Sequence, residues 1–186
     1  MKKLFTQTVL FMLLCFGVDA FGQNLYRTKT GEVSFYSKAP LEDIAAVNKE
    51  ADILINTNTS EVVSAMKIKK FDFPNDLMEE HFNENYMESG KFPNAVFKGK
   101  INEKIDFSKA GTHQVTATGK INVHGIEQDK TIAGTLQVVP GEKLILNATF
   151  DIMLVDHKIE RPSIVTMKIA EKIDVKGKYE LLLFKK

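Results

Sequence analysis

From Leu144 to Leu154 every second residue is apolar (Leu144, Leu146, Ala148, Phe150, Ile152, Leu154), while Asn147, Thr149 and Asp151 stand between them. A side-chain period of two defines an extended strand with one dry face. This one is longer than the usual length of about five or six residues. Val115, Ala117, Gly119, Ile121 and Val123 repeat the pattern against Thr116, Thr118, Lys120 and Asn122. Shorter runs rich in β-branched and aromatic residues stand at Val33–Tyr36, Asp52–Ile55, Glu61–Ile68 and Ala95–Ile101. Two more strands are predicted at Ile164–Val175 and Lys178–Phe184, separated by Gly177, and Gly31, Gly111, Gly125, Pro140-Gly141 and Pro162 mark turns. The pattern predicts a mainly all-β, antiparallel architecture.

Two stretches read as helical. Pro40–Val47 begins with proline and acidic residues, which suits a helix start. Asn75–Met87 carries Leu77, Met78, Phe82 and Met87 on roughly helical spacing. One main and one short helix cannot cover strands this long, so the apolar face must meet a second sheet or close on itself. Consecutive long strands after residue 113 favour a meander, and closure removes its exposed edges. About eight strands enclose a lumen that side chains fill or that holds one small ligand. Small residues at Gly99, Ala117, Gly119, Gly134 and Ala148 on the apolar parity argue for unfilled space, although glycine also serves strand bending. The expected lining is Phe35, Ile55, Phe97, Ala117, Ile121, Leu136, Leu146, Ala148 and Phe150, around an apolar, elongated ligand.

The N-terminus has a different character. Met1-Lys2-Lys3 precedes a mostly apolar, uncharged run from Leu4 to Val18, and Ala20-Phe21-Gly22 suits signal-peptidase cleavage before Gln23. The organisation expected is a signal peptide over 1–22 and one domain over 23–186, with a periplasmic or secreted product. Cleavage removes Lys2, Lys3 and Asp19, which brings the formal charge from +1 to zero, and removes Cys15, the single cysteine. Without thiols the exported chain has no disulfide, Cys nucleophile or Cys-based zinc site. Its balanced charge counts against nucleic acid as a partner.

Phe73-Pro74-Asn75-Asp76-Leu77-Met78-Glu79-Glu80-His81-Phe82, continuing through Phe92-Pro93 to Phe97, resembles the YceI-like family, as does Gly119-Lys120-Ile121-Asn122-Val123-His124-Gly125. The likeness extends over nearly the whole of 23–186. It implies an extended eight-stranded antiparallel lipocalin-like β-barrel enclosing a polyisoprenoid or similar lipid. It implies a fold and a ligand class more firmly than a biological role.

Catalytic signatures are missing from the sequence. His81, His113, His124 and His157 form no H-E-x-x-H pair, and there is no Gly-x-Ser-x-Gly, phosphate loop or dinucleotide fingerprint. Glu79, Glu80 and His81 are adjacent on the helix, so their side chains diverge. In a meander the turns around His124 and His157 share a barrel end, but a metal site there lacks a third ligand that can be named among Asp129, Asp156 and Glu160. Lys130, Lys158 and Arg161 at that end could meet a phosphate head group as a ligand mouth. Glu127, Asp129, Asp156 and Glu160 in the same turns leave the choice between a pyrophosphate and a neutral isoprenoid such as a quinone open. The expected function is a non-enzymatic lipid carrier or reservoir with no cofactor other than bound lipid, and with a membrane as donor or acceptor. The alternative is an exported, packed barrel that docks a protein partner through its loops.

Overall fold

The computed structural model describes residues 24–161 and 169–184. The expected signal segment, and residues 164–168 of the strand expected at 164–175, lie outside them. The strands are β1 (Leu25–Lys38), β2 (Asp43–Asn56), β3 (Glu61–Lys67), β4 (Phe71–Asp72), β5 (Asn94–Ile101), β6 (Gly111–Val123), β7 (Ile126–Val139), β8 (Lys143–Met153) and β9 (Lys172–Phe184). All strands but β4 follow one another around a ring that closes where β1 pairs with both β2 and β9. Every pairing is antiparallel, and β4 adds two residues beside β2. The result is the expected closed eight-stranded barrel, with one extra short strand.

One helical segment crosses an end of the barrel. Helix α1 (Asp76–His81) runs into a π-helical turn at Phe82–Tyr86, which matches the helix expected over 75–87. Asn75 caps it, its side-chain oxygen accepting from the backbone N–H groups of Leu77 and Met78 at 2.9 and 3.2 Å.

The short helix expected at Pro40–Val47 does not form. Asp43–Val47 is instead the first stretch of β2, with Lys38↔Asp43, Ser37↔Ile44 and Tyr36↔Ala45 as cross-strand partners. The Tyr36 hydroxyl donates to Asp43 at 2.6 Å and pins this hairpin end. Pairing along the whole of β1 outweighs a weak local helix preference, and Pro40 sits in the connecting turn. Gly177 also differs from expectation. It breaks no strand, since β9 runs straight through it and a Cβ there would strike the Tyr179 ring.

The β1–β2, β6–β7 and β8–β9 connections and the helix share one end of the barrel, which can be called the upper end. The lower half is the more closely packed, with Ile55, Leu136, Leu144 and Leu181 each 0% exposed. The larger open space is in the upper half.

Candidate functional site: an apolar cavity under the helix

The upper half encloses a cavity of about 390 Å³. Its walls come from inward positions at the upper ends of several strands, among them Val33 and Phe35 of β1, Ile152 of β8 and Val175 of β9. Met78, Phe82, Tyr86 and Met87 cover it from the helical segment. Phe82 is the anchor of that cover. Its ring lies 5.5 Å from Phe35, 5.7 Å from Phe71 and 5.0 Å from Phe73, stacked on the first and edge-on or tilted to the others. Three polar groups on exposed or half-exposed residues, Glu42, Asn75 and His81, join the lining, as does Leu77, which is 56% exposed. These residues mark the cavity's approach to solvent.

A second chamber of about 80 Å³ lies deeper and shares Met66, Ala95, Ile121 and Phe150 with the first. Strand β8 gives the depth scale. Ile152 lines the larger space, Phe150 both, Ala148 and Leu146 only the smaller, and Leu144 neither. Tyr179 closes one side of the small chamber, with its ring over Gly31 and Gly177 and its hydroxyl 3.5 Å from Ser64. Burial pushes the Tyr179 phenol above its ordinary range, so it stays neutral.

The expected lining residues therefore divide by depth. Phe35, Ile121 and Phe150 line the large cavity, and Phe97, Ala117, Leu146 and Ala148 the small chamber. Ile55 and Leu136 line neither, because they belong to the packed lower core. The alanines and Gly134 do border open space, while Gly99, Gly119 and Gly134 all mark close backbone approach. A Cβ on any of them would fall well inside 3.0 Å of a carbonyl oxygen of a neighbouring strand. The polar rim has two origins: Glu42 lies just before the start of β2, where the sequence suggests a helix, and Asn75 and His81 come from the helix whose position over the barrel end the sequence does not give.

Lys130, Lys158 and Arg161 are at the cavity's end of the barrel but do not line it. Lys130 lies 3.4 Å from Asp151, and Arg161 lies 3.5 Å from Glu171 while donating to the Ile169 carbonyl at 3.1 Å. Lys158 ends a 3-10 turn in the left-handed region.

The two upper-end histidines are structural in their contacts. His124 and Gly125 form the two-residue β6–β7 turn with φ of 53° and 73°, as a type I′ hairpin requires. His124 Nδ1 donates to the His157 carbonyl at 3.1 Å, and its Nε2 meets Glu88 at 2.9 Å. The Phe92 ring packs on His124 at 4.5 Å and occupies the place where a side chain on Gly125 would sit. The segment after the helix is thus moored to the β6–β7 turn, which holds the helix over the cavity. His157 Nδ1 donates to the Ile126 carbonyl at 3.2 Å. Among the described residues no cluster of three or more His, Cys, Asp or Glu suits a metal ion.

Burial holds the His157 pKa below 6.5, favouring the neutral ring in the folded state. Above about pH 6.5 both folded and unfolded chains carry it neutral, and no penalty applies. As pH falls towards and through the depressed folded value, the unfolded chain binds the proton more readily and stability is lost. His157→Asn keeps an N–H donor without a titrating group. It is expected to flatten the fall in melting temperature between pH 7.5 and 5, and an unchanged fall would locate the acid sensitivity elsewhere.

The YceI-like domain is matched over residues 26–181. Among solved structures, a polyisoprenoid-binding domain from Saccharophagus degradans implicated in plant cell wall breakdown superposes with a TM-score of 0.73 at 10% identity, covering 87% of this chain and 99% of that one. Burkholderia cenocepacia BcnA gives 0.66 at 15% identity, covering 83% and 96%. A Campylobacter jejuni YceI protein gives 0.57 at 19%, covering 81% and 86%. Comparison with curated proteins by sequence gives no match.

Proposed function

Since the chain belongs to the YceI-like family, we propose that it is an exported lipid-binding protein that holds an isoprenoid-type chain in the upper half of its barrel. The observation that carries this reading is the apolar cavity of about 390 Å³, within the usual range of roughly 300–1,000 Å³ for ligand pockets. A fully packed interior, which the alternative of a protein-docking barrel requires, conflicts with that space. The polyisoprenoid-binding character of the Saccharophagus degradans domain supports the same ligand class.

Binding works by sequestration. Each methylene that leaves water contributes about 0.8 kcal/mol, so ten contribute on the order of 8 kcal/mol before ordering costs. Micromolar affinity corresponds to about 8 kcal/mol, so chains with more buried carbons reach it with room for those costs. No charged side chain among the described residues lies deep in the lining, so the head group stays at the rim near Glu42, Asn75 and His81. Leu41, 64% exposed in the β1–β2 turn, and Leu77 stand at the same end and suit direct exchange with a membrane donor or acceptor. Removal of residues 1–22 frees the domain in the periplasm or medium.

The test is an organic extract of protein recovered from the cell envelope, read by mass spectrometry together with the N-terminus. A stoichiometric isoprenoid on a chain that begins at Gln23 is expected. A clean extract with no uptake of added lipid would overturn the binding role, and a dominant form retaining Met1 would overturn export.

A further inference from the structure

The smaller chamber reaches Val62 and Ile101, at the lower ends of β3 and β5, and what bounds it elsewhere is specific. Beside the small chamber, Ile55, Leu136, Leu144 and Leu181 have no exposure and line neither space. One wall of the chamber is Tyr179, whose ring rests on two glycines, Gly31 and Gly177, from adjacent strands. No side chain at those positions yields to let the ring sink, because the ring already touches backbone on both strands.

Volume converts these bounds into a chain length. A dry apolar cavity of about 150 Å³ holds one benzene, or six carbons. On that scale the large cavity of 390 Å³ takes roughly 16 carbons and the small chamber of 80 Å³ about three more. We infer that the site is a length-selective one that takes chains of about fifteen to twenty carbons, three or four isoprene units, with Tyr179 and its two glycines as the stop. The inference rests on the lipid-binding reading and adds the ligand's size to it. The chain tip passes the neck formed by Met66, Ala95, Ile121 and Phe150 and ends beside Ala148 and Tyr179. A longer chain has no further depth to enter. Its extra units stay outside, so the protein gains nothing over leaving the chain in a membrane.

The experiment offers delipidated protein vesicles that contain equal amounts of four neutral isoprenoid alcohols, of two, three, four and nine units. The protein is re-isolated and its lipid quantified. Three- and four-unit chains are expected to fill the sites, with the nine-unit chain at less than a tenth of their level. Comparable or greater recovery of the nine-unit chain would overturn the length limit while leaving lipid binding intact. Recovery of none of the four would overturn the lipid-binding reading and the limit with it.

Two variants locate the stop. Ala148→Leu adds three carbons, about the capacity of the small chamber, and is expected to shift preference from four units to three by at least fivefold. An unchanged profile would show that the tip never reaches residue 148 and would overturn the assignment. Tyr179→Ala is expected to raise recovery of chains longer than four units, and Tyr179→Phe to keep the original profile. Should Tyr179→Ala fail to fold, the wild-type series and Ala148→Leu decide the matter without it.

Discussion

Gly119→Ala is expected to leave no stably folded protein, or one weakened by more than about 3 kcal/mol in urea unfolding. Gly119 stands directly opposite Gly99 where β5 and β6 pair. An added Cβ would fall well inside 3.0 Å of the Lys98 carbonyl oxygen and of the Gly99 Cα. Overpacking costs about 1–3 kcal/mol even where soft side chains can give way. Here the obstacles are backbone, and relief means parting two strands and losing ladder hydrogen bonds worth about 1 kcal/mol each. Total stability for a domain of this kind is about 5–15 kcal/mol, so the loss takes a large share. Gly90→Ala is the control, because nothing lies within 4 Å of its new methyl group, and it should be neutral or slightly stabilising. A Gly119→Ala protein within 1 kcal/mol of the original would show that β5 and β6 can separate locally, and would remove the close-approach explanation.

Much of the barrel was legible because a closed sheet writes itself into the chain as alternation. The inward faces of β6 from Val115 to Val123 and of β8 from Leu144 to Ile152 follow from the alternation, which overruns only at Leu154, the first residue of the 3-10 turn after β8. Strands β1 and β2 were read only in part, as Val33–Tyr36 and Asp52–Ile55, and the reason is register. β1 shifts register on both sides of Gly31, so its alternation changes phase and the apolar pattern breaks although the strand continues. The start of β2 failed differently. Pro40 followed by acidic residues looks like a helix start, and only the partner strand, distant in any sequence window, decides otherwise.

The site was legible to the extent that small residues imply space. Ala117 and Ala148 do border the small chamber, and Phe35, Ile121 and Phe150 the large one. The same argument misled for Gly99 and Gly119, which line neither space, because a missing side chain can serve close backbone contact as well as an empty volume; Gly134 does both. Alternation also carries no information on which inward residues pack and which border space. Leu136 and Leu146 are direct cross-strand partners, yet one is core and the other cavity wall. The motifs that carried the family resemblance have a local physical meaning that sequence could not supply. Phe92, His124 and Gly125 meet in space, and with Glu88 they fasten the helical cover.

The division into a more closely packed lower half and a hollow upper half predicts opposite behaviour for two similar truncations. Leu136→Ala removes a side chain with no exposure and packed surroundings. Such a change costs about 2–5 kcal/mol, since the lost transfer energy is joined by a new void. For a chain of this size that lowers the melting temperature by on the order of 10 °C. Ile121→Ala removes a similar volume from a wall that already faces open space in both chambers. Atoms beside a void have fewer partners to lose, so the expected cost is no more than about half that of Leu136→Ala. Lipid retention should reverse the order. Ile121→Ala widens the neck and strips contacts from a bound chain, so its lipid content should fall, whereas Leu136→Ala touches no ligand and should keep its load for as long as it stays folded. Equal destabilisation by the two changes, with equal lipid content, would mean that the upper half is as tightly packed in solution as the lower. The barrel would then have no site of the kind proposed.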